Sequence, residues 1–120
     1  MSCFFITATG TGIGKTFVTA ALAHQLQGAG RAVSVLKPVI TGFTQETEQD
    51  SDPAILLRAL GQKATGKAIA EIAPVRYRAP LAPAMAAARE GTALDFSNLV
   101  RLCRGAQSAR GTLLIEGVGG

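Results

Sequence analysis

Phe4-Phe5-Ile6-Thr7-Ala8-Thr9-Gly10-Thr11-Gly12-Ile13-Gly14-Lys15-Thr16 is the stretch from which the rest of the sequence can be read. A short apolar run, Phe4 to Ala8, reads as a buried strand and enters a glycine-rich turn that ends at a Lys-Thr pair. Beyond the pair, Val18, Leu22 and Leu26 recur at four-residue spacing among alanines. That spacing predicts a helix over residues 15–27, with Gly28 and Gly30 as its stop signal. A strand feeding such a turn directs a ring of backbone N–H groups inward, and the helix N-terminus adds roughly half a positive elementary charge. Gly10, Gly12 and Gly14 let the backbone approach an anion and adopt dihedrals closed to other residues. Lys15 can reach β- and γ-phosphates, and the Thr16 hydroxyl can ligate Mg²⁺. The strict pattern G-x₄-G-K-[ST] asks for glycine where Thr9 stands. A plain glycine-rich turn would leave the Lys-Thr pair unexplained; phosphate binding at residues 9–16 explains it.

Two further apolar runs, Ala32–Leu36 and Thr112–Ile115, lack polar alternation and are separated from the first by helical patterns. Strands of that kind belong in a parallel sheet covered on both faces. The expected fold class is α/β, a P-loop NTPase-type parallel sheet with helices on both faces, truncated after the third strand. Residues 1–120 then form the N-terminal part of a single P-loop ATPase-like domain, because the chain stops in a glycine-rich loop of the kind that leads into another element.

Ligands of open parallel sheets bind beyond the carboxyl ends of the strands. Lys37 stands at that end of the second strand, where it could hold a γ-phosphate or an anionic intermediate; alone, it would read as a strand-end lysine in solvent. Glu116 ends the third strand, and a carboxylate there commonly holds Mg²⁺ directly or through water. Asp52, before Pro53, reads as the N-cap of a helix carrying Ile55, Leu56 and Leu60, and one carboxylate can both cap and bind metal. Lys15, Thr16, Lys37, Asp52 and Glu116 together supply two cations and two carboxylates around one triphosphate.

Elsewhere, residues 41–51 should be loop, residues 62–73 a short helix, and Pro74, Pro80 and Pro83 should break the chain before a helical turn or two at Ala84–Arg89. Asp95 should cap a helix whose apolar face is Phe96, Leu99, Val100 and Cys103. Cys3 and Cys103 fall on apolar faces and read as core thiols of a cytosolic protein. The single His24 reads as a surface or boundary residue, and no Ser-His-Asp or Cys-His arrangement can be built on it.

Composition narrows the classes. Apolar residues make up 48% of 120, enough for a core, yet every apolar run is far shorter than the ~20 residues of a membrane span. The amino terminus lacks the features of a signal peptide. The net charge of +4 favours anionic ligands. Its basic residues are scattered, and with no Trp and one Tyr a nucleic-acid surface is not expected.

The sequence resembles the dethiobiotin synthetase family in five motifs spread over the whole chain. Thr9 to Thr16 resembles its enlarged phosphate loop, typically Gly-Thr-Asp-Thr-Glu-Val-Gly-Lys-Thr, and Lys37-Pro38-Val39 with Thr41-Gly42 its lysine motif. Ser51-Asp52 resembles its Ser-Asp element, Pro80-Leu81-Ala82-Pro83 its substrate loop, and Glu116-Gly117-Val118-Gly119-Gly120 its Glu-Gly-x-Gly-Gly. Ala8 and Gly12 depart from it, since the family commonly has glycine and an acidic residue there; Thr41 replaces its usual serine and keeps the hydroxyl.

The resemblance implies an ATP- and Mg²⁺-dependent cyclo-ligase that closes the ureido ring of dethiobiotin from 7,8-diaminononanoate and CO₂, through a carbamate and a carbamic-phosphoric anhydride. It implies Lys15 and Lys37 as catalytic, and Gly12, Ile13, Gly14, Lys15, Thr16 and Glu116 on the nucleotide. Thr11, Lys37 and Thr41 would meet the substrate, and Thr16, Asp52 and Glu116 the Mg²⁺. It also implies a cytoplasmic homodimer about twice this length, so that the isolated 120-residue chain should be inactive. Two alternatives stay open: a related amidoligase of the cobyric or cobyrinic acid synthetase type, and a non-catalytic nucleotide-binding module.

Overall fold

A computed structural model of the protein describes residues 2–9, 14–107 and 110–118. Three strands form one parallel sheet: β1 (Ser2–Ile6), β2 (Val33–Leu36) and a last strand, β5 (Thr112–Glu116), lying between them. Every residue of β5 is buried, which is why its sequence is a continuous apolar run closed by one acid. The register pairs Ile6 with Glu116 and Leu36 with Ile115. The residue after Leu36 is Lys37, so the register alone brings Lys37 level with Glu116.

Helices cover both faces. On one, α1 (Lys15–Gly28) and α2 (Asp52–Ala59) bury Ala23, Leu56 and Leu60 against Val35 and Leu114. His24 is exposed, its Nδ1 lying 3.3 Å from the carbonyl oxygen of Ala59 at the α1–α2 contact. On the other face, α5 (Phe96–Ala106) lays Cys103 and Ala106 on Leu36, Leu113 and Ile115. Asp95 caps α5 as expected, its Oδ1 accepting from the Asn98 N–H at 3.1 Å. Among the described residues no helix is long and apolar enough to cross a membrane.

Four expectations need correction. Ser51, not Asp52, occupies the N-cap position of α2; Asp52 is the first helical residue, which turns its carboxylate away from capping. Phe96 is 75% exposed, because the face of α5 that meets the sheet runs through Cys103 and Ala106. Cys3 is exposed and Cys103 only half-buried. The strand around Cys3, expected to be buried, is likewise exposed: among the described residues β1 pairs with β5 alone, and Phe4 and Phe5 are 57% and 63% exposed. Burial, and then the neighbouring Cys3, push the Cys103 thiol pKa up.

The fourth concerns residues 74–83, expected to be irregular. A second, two-stranded parallel sheet pairs β3 (Val39–Ile40) with β4 (Val75–Arg76). It follows α3 (Gly66–Ile72), which Thr65 caps. The helical turn expected at 84–89 is α4 (Pro83–Arg89), entered through a proline whose missing N–H costs nothing there. Residues 41–51 hold one short 3-10 turn, Glu48–Asp50, tied to its surroundings by the Gln49 side chain, which donates to the Ala64 carbonyl at 2.8 Å.

Candidate functional site

The carboxyl ends of β5 and β2, the start of α1 and the start of α2 meet at one place. Gly14 sits at the N-cap position of α1 with φ of 96°, and among the described residues no side chain caps the helix. The first N–H groups of a helix have no intrahelical partner, so this end is suited to an anion. Lys15 and Thr16 open the helix and are partly buried. Among the described residues Gly14, Lys15 and Thr16 all line a cleft of about 1080 Å³, the upper end of the usual range for small-molecule sites.

Glu116 is fully buried at the floor. The Thr16 hydroxyl donates to its Oε1 at 2.6 Å, and the Lys37 ammonium lies 3.4 Å from its Oε2. The same ammonium reaches Asp52 Oδ2 at 3.0 Å and donates to the Gly117 carbonyl at 3.3 Å. Lys37 is thus buried between two carboxylates, with Asp52 the more exposed of the pair at 39%. Buried charge is tolerable when paired and hydrogen-bonded, and here it is both. Lys15 lines the same cleft, so two cations stand with the two carboxylates. Hydroxyl and carboxylate oxygens are the donor types that a small hard cation takes.

Of the sequence candidates, Lys15, Thr16, Lys37, Thr41 and Asp52 line the cleft, and Glu116 lies beneath it bonded to Thr16 and Lys37. Thr11, Gly12 and Ile13 lie outside the described residues, as do Gly10, Gly119 and Gly120. The facing wall is Gly42 with Pro80, Leu81, Ala82 and Pro83. Sequence reasoning missed Phe17, Phe43, Asp50 and Val118 in the lining. Phe17 is 76% exposed next to the Lys-Thr pair, a large apolar residue where solvent would favour a polar one. Phe43 carries the Arg76 guanidinium 5.6 Å above its ring and gave no periodic signal.

A family model described as an AAA domain matches residues 3–120. The chain belongs to the AAA domain family. Curated relatives of this AAA domain chain carry the name ATP-dependent dethiobiotin synthetase BioD. One from Methylobacterium nodulans is 48% identical over 126 residues, covering 100% of this chain and 56% of the relative. One from Caulobacter vibrioides is 44% identical and covers 100% and 54%, and one from Aquifex aeolicus is 40% identical and covers 96% and 49%. The chain spans about half the length of the curated relatives it matches.

Proposed function

We propose that this chain is the phosphate- and metal-binding part of an ATP-dependent dethiobiotin synthetase, the N-terminal part of a single P-loop ATPase-like domain. The observation that carries the reading is the convergence of Thr16, Lys37, Asp52 and Glu116 beside the start of α1. The names of similar proteins supply ATP and dethiobiotin, and the resemblance of the sequence motifs implies the diamine and CO₂.

In this reading the N-terminus of α1 and Lys15 hold the triphosphate of ATP, with Gly12, Ile13 and Gly14 contributing backbone contacts. The oxygens of Thr16, Asp52 and Glu116 hold Mg²⁺, which when bound neutralises phosphate charge. One amine of 7,8-diaminononanoate captures CO₂ as a carbamate, and a carbamate oxygen takes the γ-phosphoryl group of ATP. The second amine attacks the carbamic-phosphoric anhydride carbon, closes the ureido ring and expels phosphate. Transfer of this kind needs chiefly positioning and charge neutralisation. Lys37 serves both: its ammonium meets the carbamate and the transferring phosphoryl group, and Thr11 and Thr41 also meet the substrate. The enzyme works as a cytoplasmic homodimer, and the 120-residue chain alone turns over little or nothing.

Incubating the full gene product with 7,8-diaminononanoate, bicarbonate and Mg·ATP should produce dethiobiotin, detected by mass spectrometry. Failure to form it, with the diamine intact, would sink the reading.

A further inference from the structure

We infer that Glu90, at the end of α4, is a positioning residue for the substrate wall of the cleft, a role that rests on the reading above and deepens it. One carboxylate oxygen, Oε2, accepts from two consecutive backbone N–H groups, Arg78 at 2.8 Å and Ala79 at 3.3 Å. The Ala79 carbonyl then accepts from Gly42 at 3.2 Å and from Leu81 at 2.8 Å. A short relay thus runs from Glu90, through the Ala79 backbone, to Gly42 beside Thr41. Pro80 sits within it: a Cβ placed on Gly42 would lie 3.6 Å from the Pro80 Cβ, so the two residues are close neighbours in this wall.

The chemistry favours placement over stability. A carboxylate oxygen has the lone pairs to accept two N–H groups at once, and its hydrogen bonds are stronger than those of a neutral acceptor. The site is exposed, so water can satisfy the same N–H groups when Glu90 is absent, and the fold keeps most of its stability. What water cannot do is fix the direction of the Ala79 peptide, and with it the distance between Pro80 and Gly42. Geometry held to fractions of an ångström at a reacting amine is where such a latch acts. The nucleotide end, built on α1, has no part in the relay.

The test uses the full gene product carrying Glu90→Ala, Glu90→Gln, or Glu71→Ala as an exposed acid outside the cleft. In Glu90→Ala, amide hydrogen exchange at Arg78, Ala79 and Gly42 should quicken on the order of tenfold, the loss of one charge-assisted hydrogen bond. The KM for the diamine should rise by a similar factor while the KM for ATP holds. Glu90→Gln, which keeps an acceptor oxygen, should restore most of both, and Glu71→Ala should match the parent. Unchanged exchange in Glu90→Ala would overturn the latch. Faster exchange with an unchanged diamine KM, or equal rises in both KM values, would overturn its role in positioning the substrate. A parent that turns over no diamine would overturn the proposed function and this role together, and shows itself before any substitution is made.

Discussion

Lys37 is the residue on which the site balances. It is buried between Asp52 and Glu116, and Glu116 has no contact with solvent. Removing one partner of a buried ion pair leaves an uncompensated charge and typically costs about 3–5 kcal/mol. Lys37→Met should therefore lower unfolding stability by that order in urea denaturation, the screened Asp52 contributing the smaller share. Lys37→Met combined with Glu116→Gln should recover most of the loss, because the orphaned charge goes with its partner. Additive losses in the double variant would contradict the pairing. In the proposed function Lys15 acts on the ligand instead. A charge-assisted hydrogen bond to phosphate is worth about 1.5–3 kcal/mol, so Lys15→Ala should weaken ATP roughly 10- to 150-fold by calorimetry. The sequence made both lysines legible, Lys15 by its motif and Lys37 by its place after an apolar strand. The resting contacts of Lys37 were not legible, because they depend on which strand lies next to which.

At the scale of elements, α1 starts after Gly14, its N-cap, and in the proposed reading that start binds phosphate. The Gly14 φ of 96° is closed to L side chains, while nothing among the described residues lies within 4 Å of an added Cβ. The cost of Gly14→Ala is thus a backbone cost, about 1–2 kcal/mol. Nucleotide affinity should fall with it unless the turn relaxes, and calorimetry with denaturation separates the two. Affinity and stability both unchanged would contradict the strained turn. The long elements were readable because β1, β2, β5, α1 and α5 are long enough to carry a run or spacing of apolar residues, although among the described residues β1 and α5 hold no fully buried side chain and α1 buries Thr19 and Ala23. β3 and β4 carry no such pattern, with two residues each, held by long-range hydrogen bonds such as Tyr77 N–H to the Ile40 carbonyl at 2.9 Å. The prolines around β4 suggested disorder of structure where they in fact shape one wall of the cleft. Phe96 and Cys3 misled in the opposite sense, since an apolar residue in a periodic pattern need not meet a neighbour.

Across the whole molecule, one register does most of the arranging. Pairing Leu36 with Ile115 sets Lys37 beside Glu116, and pairing Ile6 with Glu116 sends the β1 chain toward the turn that starts α1. The sheet's carboxyl edge thereby gathers groups from four separate segments into one cleft, as open parallel sheets do. The strand order β1-β5-β2 could not be read from the sequence, although Lys15, Thr16, Lys37, Thr41 and Asp52, which line the cleft, were each singled out there. The account stands or falls on whether this edge couples ATP to a diamine. Phosphate release by the full gene product, measured with Mg·ATP and bicarbonate in the presence and absence of 7,8-diaminononanoate, tests that coupling most directly. The account predicts release that requires the diamine, matches dethiobiotin one for one and falls to background in Lys37→Met. Release indifferent to the diamine, or undiminished in Lys37→Met, would contradict it.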